Sequence, residues 1–178
     1  MTRLSRFLSL ILRHKPEEIG ISLDANGWAD VDAVLNGVNR SGRRIDHEIL
    51  EHIVASDEKG RYVFSDDGKR IRACQGHSVA IDMQFTPVQP PEFLYHGTAS
   101  RFSEQIANDG LQPQSRQYVH LSSDRETAVH VGSRHGKPVV YVVLAQQMSQ
   151  AGFPFYCSEN KVWLTTHVPF EYLRCENE

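Results

Sequence analysis

Three prolines within six residues, Thr86-Pro87-Val88-Gln89-Pro90-Pro91, set the strongest constraint on how this chain can fold. Proline locks φ and has no N–H to give, and it pushes the preceding residue out of the helical region. The segment can therefore continue neither a helix nor a sheet ladder, and it reads as a stiff, extended connection. The boundaries that follow are a first lobe over 1–85, a linker over 86–92 and a second lobe over 93–178. In a chain of 178 residues each half is long enough to bury a small core of its own. With 40% hydrophobic and 23% charged residues, the composition is that of a folded globular protein.

Before the prolines the pattern is helical. Leu4, Phe7, Leu8, Ile11 and Leu12 recur at the spacing of one helical face, and Pro16 ends the run near Arg13-His14. A second helix is expected after Asp30, an N-cap type, with Val31, Val34, Leu35 and Val38 on one stripe and Gly37 near its end. A third follows Asp46 and carries Ile49, Leu50, Ile53 and Val54, with Ile45 and Leu50 spaced as a hydrophobic staple. Over residues 61–74 the period changes to two. Tyr62 and Phe64 precede Ser65-Asp66-Asp67-Gly68, and Ile71 and Ala73 follow it, which predicts a hairpin. Three helices and a hairpin suggest a winged-helix lobe. Arg70 and Arg72 fall on the strand face opposite Ile71, so both guanidinium groups point the same way.

Beyond the prolines strands and helices alternate. The expected order is a strand over 93–97, a helix carrying Phe102 and Ile106 that is capped by Thr98 or Ser100 and ends at Gly110, and a strand over 118–121. Next comes a helix opened by the capping box Ser123-x-x-Glu126 and closed by Gly136. A strand over 139–144, a short helix to Gly152, and strands around Phe155, over 162–164 and around Tyr172 complete the lobe. Lobe and chain are both α+β.

Nineteen Lys and Arg against 22 Asp and Glu leave a net charge of −3, which disfavours a broad nucleic-acid-wrapping face but leaves room for a local basic pocket. Cys74, Cys157 and Cys175 are odd in number and form no CxxC pair, so neither a disulfide framework nor a zinc cluster is expected. The pairs His47/His52 and His130/His135 are five apart, which does not align two ligands on a helix face, and no metal is expected. The longest apolar run, 139–145, is interrupted by Tyr141 and falls far short of the ~20 residues that span a bilayer. Met1-Thr2-Arg3 leads straight into the amphipathic pattern without a signal-peptide core, so a cytoplasmic protein is expected; nothing demands a dimer.

Four segments place Arg or His beside small or hydroxylic residues at the end of a regular element. They are Leu12-Arg13-His14-Lys15-Pro16, residues 71–78 (Ile-Arg-Ala-Cys-Gln-Gly-His-Ser), Tyr95-His96-Gly97-Thr98, and residues 116–122 (Arg-Gln-Tyr-Val-His-Leu-Ser). Singly, each has an ordinary explanation. Arg13 and His14 suit a helix C-terminus, Arg72 a solvated strand face and residues 75–78 a polar turn. His96-Gly97-Thr98 suits a strand-to-helix turn, and His120 a satisfied structural histidine. Arg40, Arg43 and Arg44 fit either a solvated loop or contacts to RNA phosphates. Trp28 and Trp163 could stack on bases, although a core position is the commoner fate of such residues.

Taken together and in this order, the four segments, with Asn160-Lys161-Val162-Trp163-Leu164-Thr165, resemble the tRNA 2′-phosphotransferase family over nearly the whole chain. The resemblance implies an amino-terminal winged-helix lobe that binds RNA and a carboxyl-terminal lobe of ADP-ribosyltransferase type that binds NAD. The family's Arg-His-Arg-Arg catalytic set falls on Arg13, His14, Arg72 and Arg116. Its NAD-contacting His-Gly-Thr falls on His96, Gly97 and Thr98, and its second histidine and neighbouring hydroxyl on His120 and Ser122. A position that is glutamate in many ADP-ribosyltransferases and aliphatic in this family corresponds to Val162, with Glu159 close by. The implied reaction removes an internal RNA 2′-phosphate and consumes NAD as co-substrate. The phosphate attacks C1″ of the nicotinamide ribose and expels nicotinamide; ribose O2″ then attacks the phosphorus, freeing the RNA 2′-hydroxyl and ADP-ribose 1″,2″-cyclic phosphate.

The residue types suit that chemistry. A phosphate monoester has a second pKa near ~6 and is largely dianionic at neutral pH, so the first nucleophile needs little deprotonation and no glutamate base. Arginines from both lobes would hold the dianion through directional, charge-assisted bonds. The second step moves protons, and His14, of a type with ordinary pKa near ~6.5, would serve as acid, base or both, with the acid role favoured. Two rivals remain: an ADP-ribosyltransferase acting on a nucleic acid terminal phosphate or another acceptor, and a winged-helix regulator that senses NAD without chemistry.

Overall fold

Leu8, Ile11 and Leu12 are fully buried on the inner face of α1 (Arg3–Arg13) in the computed structural model, which describes residues 3–176. Met1 and Thr2, where the amphipathic pattern begins, lie outside the described residues. As Pro16 requires, the helix stops: the His14 and Lys15 N–H groups both turn back to the Leu10 carbonyl, and Pro16–Ile19 forms a 3₁₀ turn. β1 (Ala29–Asp30) leads into α2 (Val31–Arg40), whose first turn is capped by the Asp30 carboxylate accepting from Ala33 N–H at 2.8 Å. Gly37 lies near the end of this helix, three residues before Arg40. It lies on the buried face, where an added Cβ would come within 2.6 Å of the Ile19 carbonyl, so close approach to the 3₁₀ turn requires glycine there.

α3 (His47–Ala55) is capped by Asp46, and Ile45 and Leu50 are buried in one core, as a staple requires. β2 (Tyr62–Phe64) and β3 (Arg70–Ala73) form the expected hairpin, with Phe64 opposite Ile71. β1, two residues long and without a readable period, pairs with the other edge of β3, giving an antiparallel sheet of order β1-β3-β2. The chain divides into two compact units, 1–84 and 85–178, and α1–α3 with this sheet make up the first.

In the second unit β4 (Leu94–Ala99) runs into a 3₁₀ turn, Ser100–Phe102, and then α4 (Ser103–Asp109). The expected cap from Thr98 or Ser100 does not form, because the strand continues to Ala99 and the tight turn intervenes. β5 (Val119–Leu121) precedes α5 (Arg125–Ser133). Here the cap is Asp124, accepting from Thr127 N–H at 2.7 Å, one residue beyond the expected Ser123. The helix also ends at Ser133 rather than Gly136, since the Arg134 and His135 N–H groups close tight turns onto Val131 and Gly132. β6 (Pro138–Val143), α6 (Ala145–Gln150), β7 (Phe155–Cys157), β8 (Trp163–Thr165) and β9 (Leu173–Glu176) follow; Tyr172 belongs to a 3₁₀ turn before the last strand.

The strands form two antiparallel sheets, β4-β6-β9 and β5-β8-β7, and among the described residues the pairing between them is a single bridge, Tyr95–Ser122. The proline-rich segment packs within this unit: Val88 N–H donates to the Phe155 carbonyl at 2.8 Å, and Pro90 is buried. No helix of the described residues is long and apolar enough to cross a membrane.

Candidate functional site

The structure gathers the sequence-predicted residues into two clusters, one in each unit. In the first, the end of α1 meets the turn that follows β3. Ser78 N–H donates to the Arg13 carbonyl at 3.0 Å, and Ser78 Oγ lies 2.9 Å from His14 Nδ1. Gly76, with φ of 87°, lies along the Arg13 side chain, 3.5 Å from Nη1 at the position a Cβ would take. Arg72 reaches the same region from β3. Its guanidinium carbon stands 4.4 Å from the centroid of the Trp28 ring, and that of Arg70 stands 5.4 Å from it. Trp28 is thus no core residue: it is half-buried and forms the platform beneath both arginines, an arrangement that favours cation–π attraction of about 0.5–2 kcal/mol. Arg70 is held aside by Asp24, 3.5 Å away, which leaves Arg72 as the inner of the two.

At the centre lies His77, which in the sequence could equally be part of a polar turn. It is 2% exposed, and its Nε2 is buried with no hydrogen-bond partner. Burial first, and then the positive fields of Arg13, His14 and Arg72, push its pKa down to about 4. His77 therefore reports that the three predicted residues converge, and it is itself a neutral spacer among them. The only advance signal was its place in the Gln75-Gly76-His77-Ser78 run.

In the second unit His96 on β4 and His120 on β5 flank the point where the two sheets part. His96 Nδ1–H donates to the His120 carbonyl at 3.0 Å, and His120 Nδ1–H donates to the Tyr118 carbonyl at 3.0 Å. Burial lowers the His96 pKa, against the raising effect of that hydrogen bond, and Arg116 lowers it further. His96 is thus a neutral imidazole whose Nε2 carries a lone pair. Arg116, in the exposed loop before β5, has its own pKa lowered by desolvation, yet a guanidinium stays charged at neutral pH. Tyr118 packs edge-on against Tyr156 and Phe85, with centroids 5.6 and 6.0 Å away, a cluster that no sequence period signalled.

Gly97 has a packing reason to be glycine: a Cβ there would lie 1.6 Å from the Ala128 carbonyl, and one on Gly132 would lie 2.7 Å from the Thr98 carbonyl. β4 and α5 therefore touch backbone to backbone, which fixes the strand carrying His96. Val162 sits at the tight turn between β7 and β8. Ser158, buried and not singled out from sequence, ties that turn: its hydroxyl accepts from Val162 N–H at 3.0 Å and lies 2.8 Å from Asn160 Oδ1. Ser122 is half-buried beside the Tyr95 bridge.

The family model described as RNA 2′-phosphotransferase, Tpt1 / KptA family, matches residues 1–167, a span that holds every one of these side chains. The chain belongs to the RNA 2′-phosphotransferase family, a family of transferases. A relative from Agrobacterium fabrum is 55% identical over 172 residues, covering 97% of this chain and 92% of the relative. One from Hahella chejuensis is 54% identical over 169 residues (95% and 91%), and one from Flavobacterium johnsoniae 48% over 170 (96% and 93%). Each is named "Probable RNA 2′-phosphotransferase". Of the four residues that the sequence resemblance singles out for an RNA 2′-phosphotransferase, Arg13, His14 and Arg72 lie in the first unit and Arg116 in the second.

Proposed function

We propose that this protein removes an internal 2′-phosphate from RNA in two steps with NAD as co-substrate. The observation that supports it most is the convergence of Arg13, His14 and Arg72 about a buried, neutral His77. In this reading the first unit is a winged-helix lobe that holds RNA and the second a lobe of ADP-ribosyltransferase type that holds NAD. The three helices with a small antiparallel sheet, and the two parting sheets, support those assignments.

The donor chemistry fits both groups. Arg72, aligned by Trp28, and Arg13 offer planar, permanently charged donors to a phosphate dianion. Neutral His96, with its Nδ1–H already committed, offers a lone pair to a ribose hydroxyl; Thr98 lies on the same strand, His120 and Ser122 on and just after β5, and Val162 just before β8. NAD, when bound, supplies an electrophilic ribose carbon with a good leaving group. Arg116 adds a permanently charged donor of the kind that stabilises negative charge developing in phosphoryl transfer. His14, oriented through Nδ1 by Ser78, gives the proton that the departing RNA 2′-oxygen needs.

The test is incubation with NAD and a short oligonucleotide bearing one internal 2′-phosphate. Release of nicotinamide and ADP-ribose 1″,2″-cyclic phosphate is the expected result, and a stable ADP-ribosylated product would instead favour a plain ADP-ribosyltransferase. His14→Ala and Arg72→Ala should slow the second step more than the first, so ADP-ribosylated RNA 2′-phosphate accumulates. Undiminished phosphate removal by both variants would refute the residue roles.

A further inference from the structure

The residues of α1 fall into two stripes. At about 100° per residue, Ser5, Leu8, Ile11 and Leu12 form the buried face. Arg3, Arg6, Phe7, Leu10, Arg13 and His14 lie on the opposite side, within about 120° of one another. Arg3 and Arg6 are exposed, whereas Arg13 and His14, at the far end of the same stripe, belong to the basic cluster around His77. A second source of charge adjoins it. Arg43, from the loop between α2 and α3, lies with its guanidinium carbon 3.5 Å from the centroid of the Phe7 ring, and its Nη1 donates to Ser41 Oγ at 2.9 Å. Among the described residues, none of Arg3, Arg6 and Arg43 is ion-paired, and α1 holds no acidic residue. In a protein of net charge −3, this is a line of uncompensated guanidinium groups.

We propose that Arg3, Arg6 and Arg43 form a track for the phosphodiester backbone of the single-stranded RNA flanking the 2′-phosphate, running from Arg13 and His14 along the outer stripe of α1. The inference rests on the reading that Arg13 and His14 receive the 2′-phosphate. A helix rises about 1.5 Å per residue, so Arg6 lies about 10 Å and Arg3 about 15 Å along the axis from Arg13. That is a reach of a few nucleotides. The line of charges matches a polymer with evenly repeated anions better than a compact ligand, and the planar fork of arginine suits phosphate oxygens. Stacking on Phe7 holds Arg43 in place before RNA arrives, which lowers the entropy lost on binding.

The experiment compares two RNAs by fluorescence anisotropy with the full chain: a trinucleotide with a central 2′-phosphate, and a dodecamer with the same trinucleotide in its middle. The wild type should bind the dodecamer more tightly. The variant Arg3→Gln/Arg6→Gln/Arg43→Gln should lose about tenfold on the dodecamer and little on the trinucleotide. Its salt dependence on the dodecamer should flatten by about 2 in slope, since each phosphate contact on a single strand contributes about 0.7. Arg101→Gln/Arg134→Gln, which removes exposed charge from the second unit, should leave the length preference intact. An equal loss on both RNAs, an unchanged dodecamer affinity, or the same loss in the control variant overturns the track. A wild type that prefers the dodecamer but releases no phosphate overturns the proposed reaction and leaves the track standing.

Discussion

His77 makes the first unit acid-sensitive by an amount that can be worked from its surroundings. In the folded protein its pKa is about 4, against an ordinary value of 6.5, because burial and the charges of Arg13, His14 and Arg72 oppose a further proton. Between those two values the unfolded chain takes up a proton that the native imidazole refuses, so stability is fully present above pH 6.5 and falls as pH drops toward 4. The loss relative to pH 7 is about 2 kcal/mol at pH 5 and about 3 kcal/mol at pH 4. His77→Gln removes the titrating group while keeping a neutral polar side chain. Urea unfolding of the full chain, followed through Trp28 in a Trp163→Phe background, isolates the first unit. The stability of the wild-type protein relative to the His77→Gln variant should fall by those amounts as pH is lowered. If the two stability curves run parallel from pH 7 to pH 4, His77 is not held neutral and the account of the cluster fails.

Other consequences follow from single contacts. Gly97→Ala drives a methyl into the Ala128 carbonyl, 1.6 Å away, and should cost about 3 kcal/mol or prevent folding, read by thermal melting. Asp124→Ala should cost about 1 kcal/mol through loss of the α5 cap, and Ser123→Ala much less; the reverse order would restore the capping box suggested by sequence. Ser158→Ala leaves the Val162 N–H without its acceptor and should cost about 1–3 kcal/mol, visible in denaturant unfolding.

What the sequence made legible was set by the range of the physics involved. Helix starts at Asp30 and Asp46 and the 65–68 turn depend on a few adjacent residues, and they stand where the pattern puts them. The cap at Asp124 rather than Ser123 shows the limit of such local signals, because Asp124 is an equally good cap one residue on and a pattern of adjacent residues does not choose between them. β1 was illegible because two residues carry no period, and its strand character comes from pairing with β3. Trp28 was misjudged for a related reason: apolar neighbours in sequence do not reveal that Arg72 and Arg70 fold across its ring. His77 lies in a run that also suits a turn, and its role depends on charges brought from α1 and β3.

The two clusters use histidine and arginine for different tasks. Guanidinium groups cannot shed their protons near neutral pH, so Arg13, Arg72 and Arg116 supply a positive field that does not vary with conditions. His77 and His96 are both neutral chiefly because they are desolvated. Around His77 the cations Arg13, His14 and Arg72 add to that effect, whereas at His96 desolvation and Arg116 outweigh the hydrogen bond to the His120 carbonyl, which favours the charged form. Neither can exchange a proton near pH 7 without losing that environment. His14, half-exposed and bonded to a hydroxyl that can serve as donor or acceptor, is the histidine of the first cluster placed to hand a proton to a bound group. Phosphate removal should therefore fall with His14→Ala and persist with His77→Gln, whose pH profile above about pH 6 should match that of the wild type because His77 carries no proton to lose there.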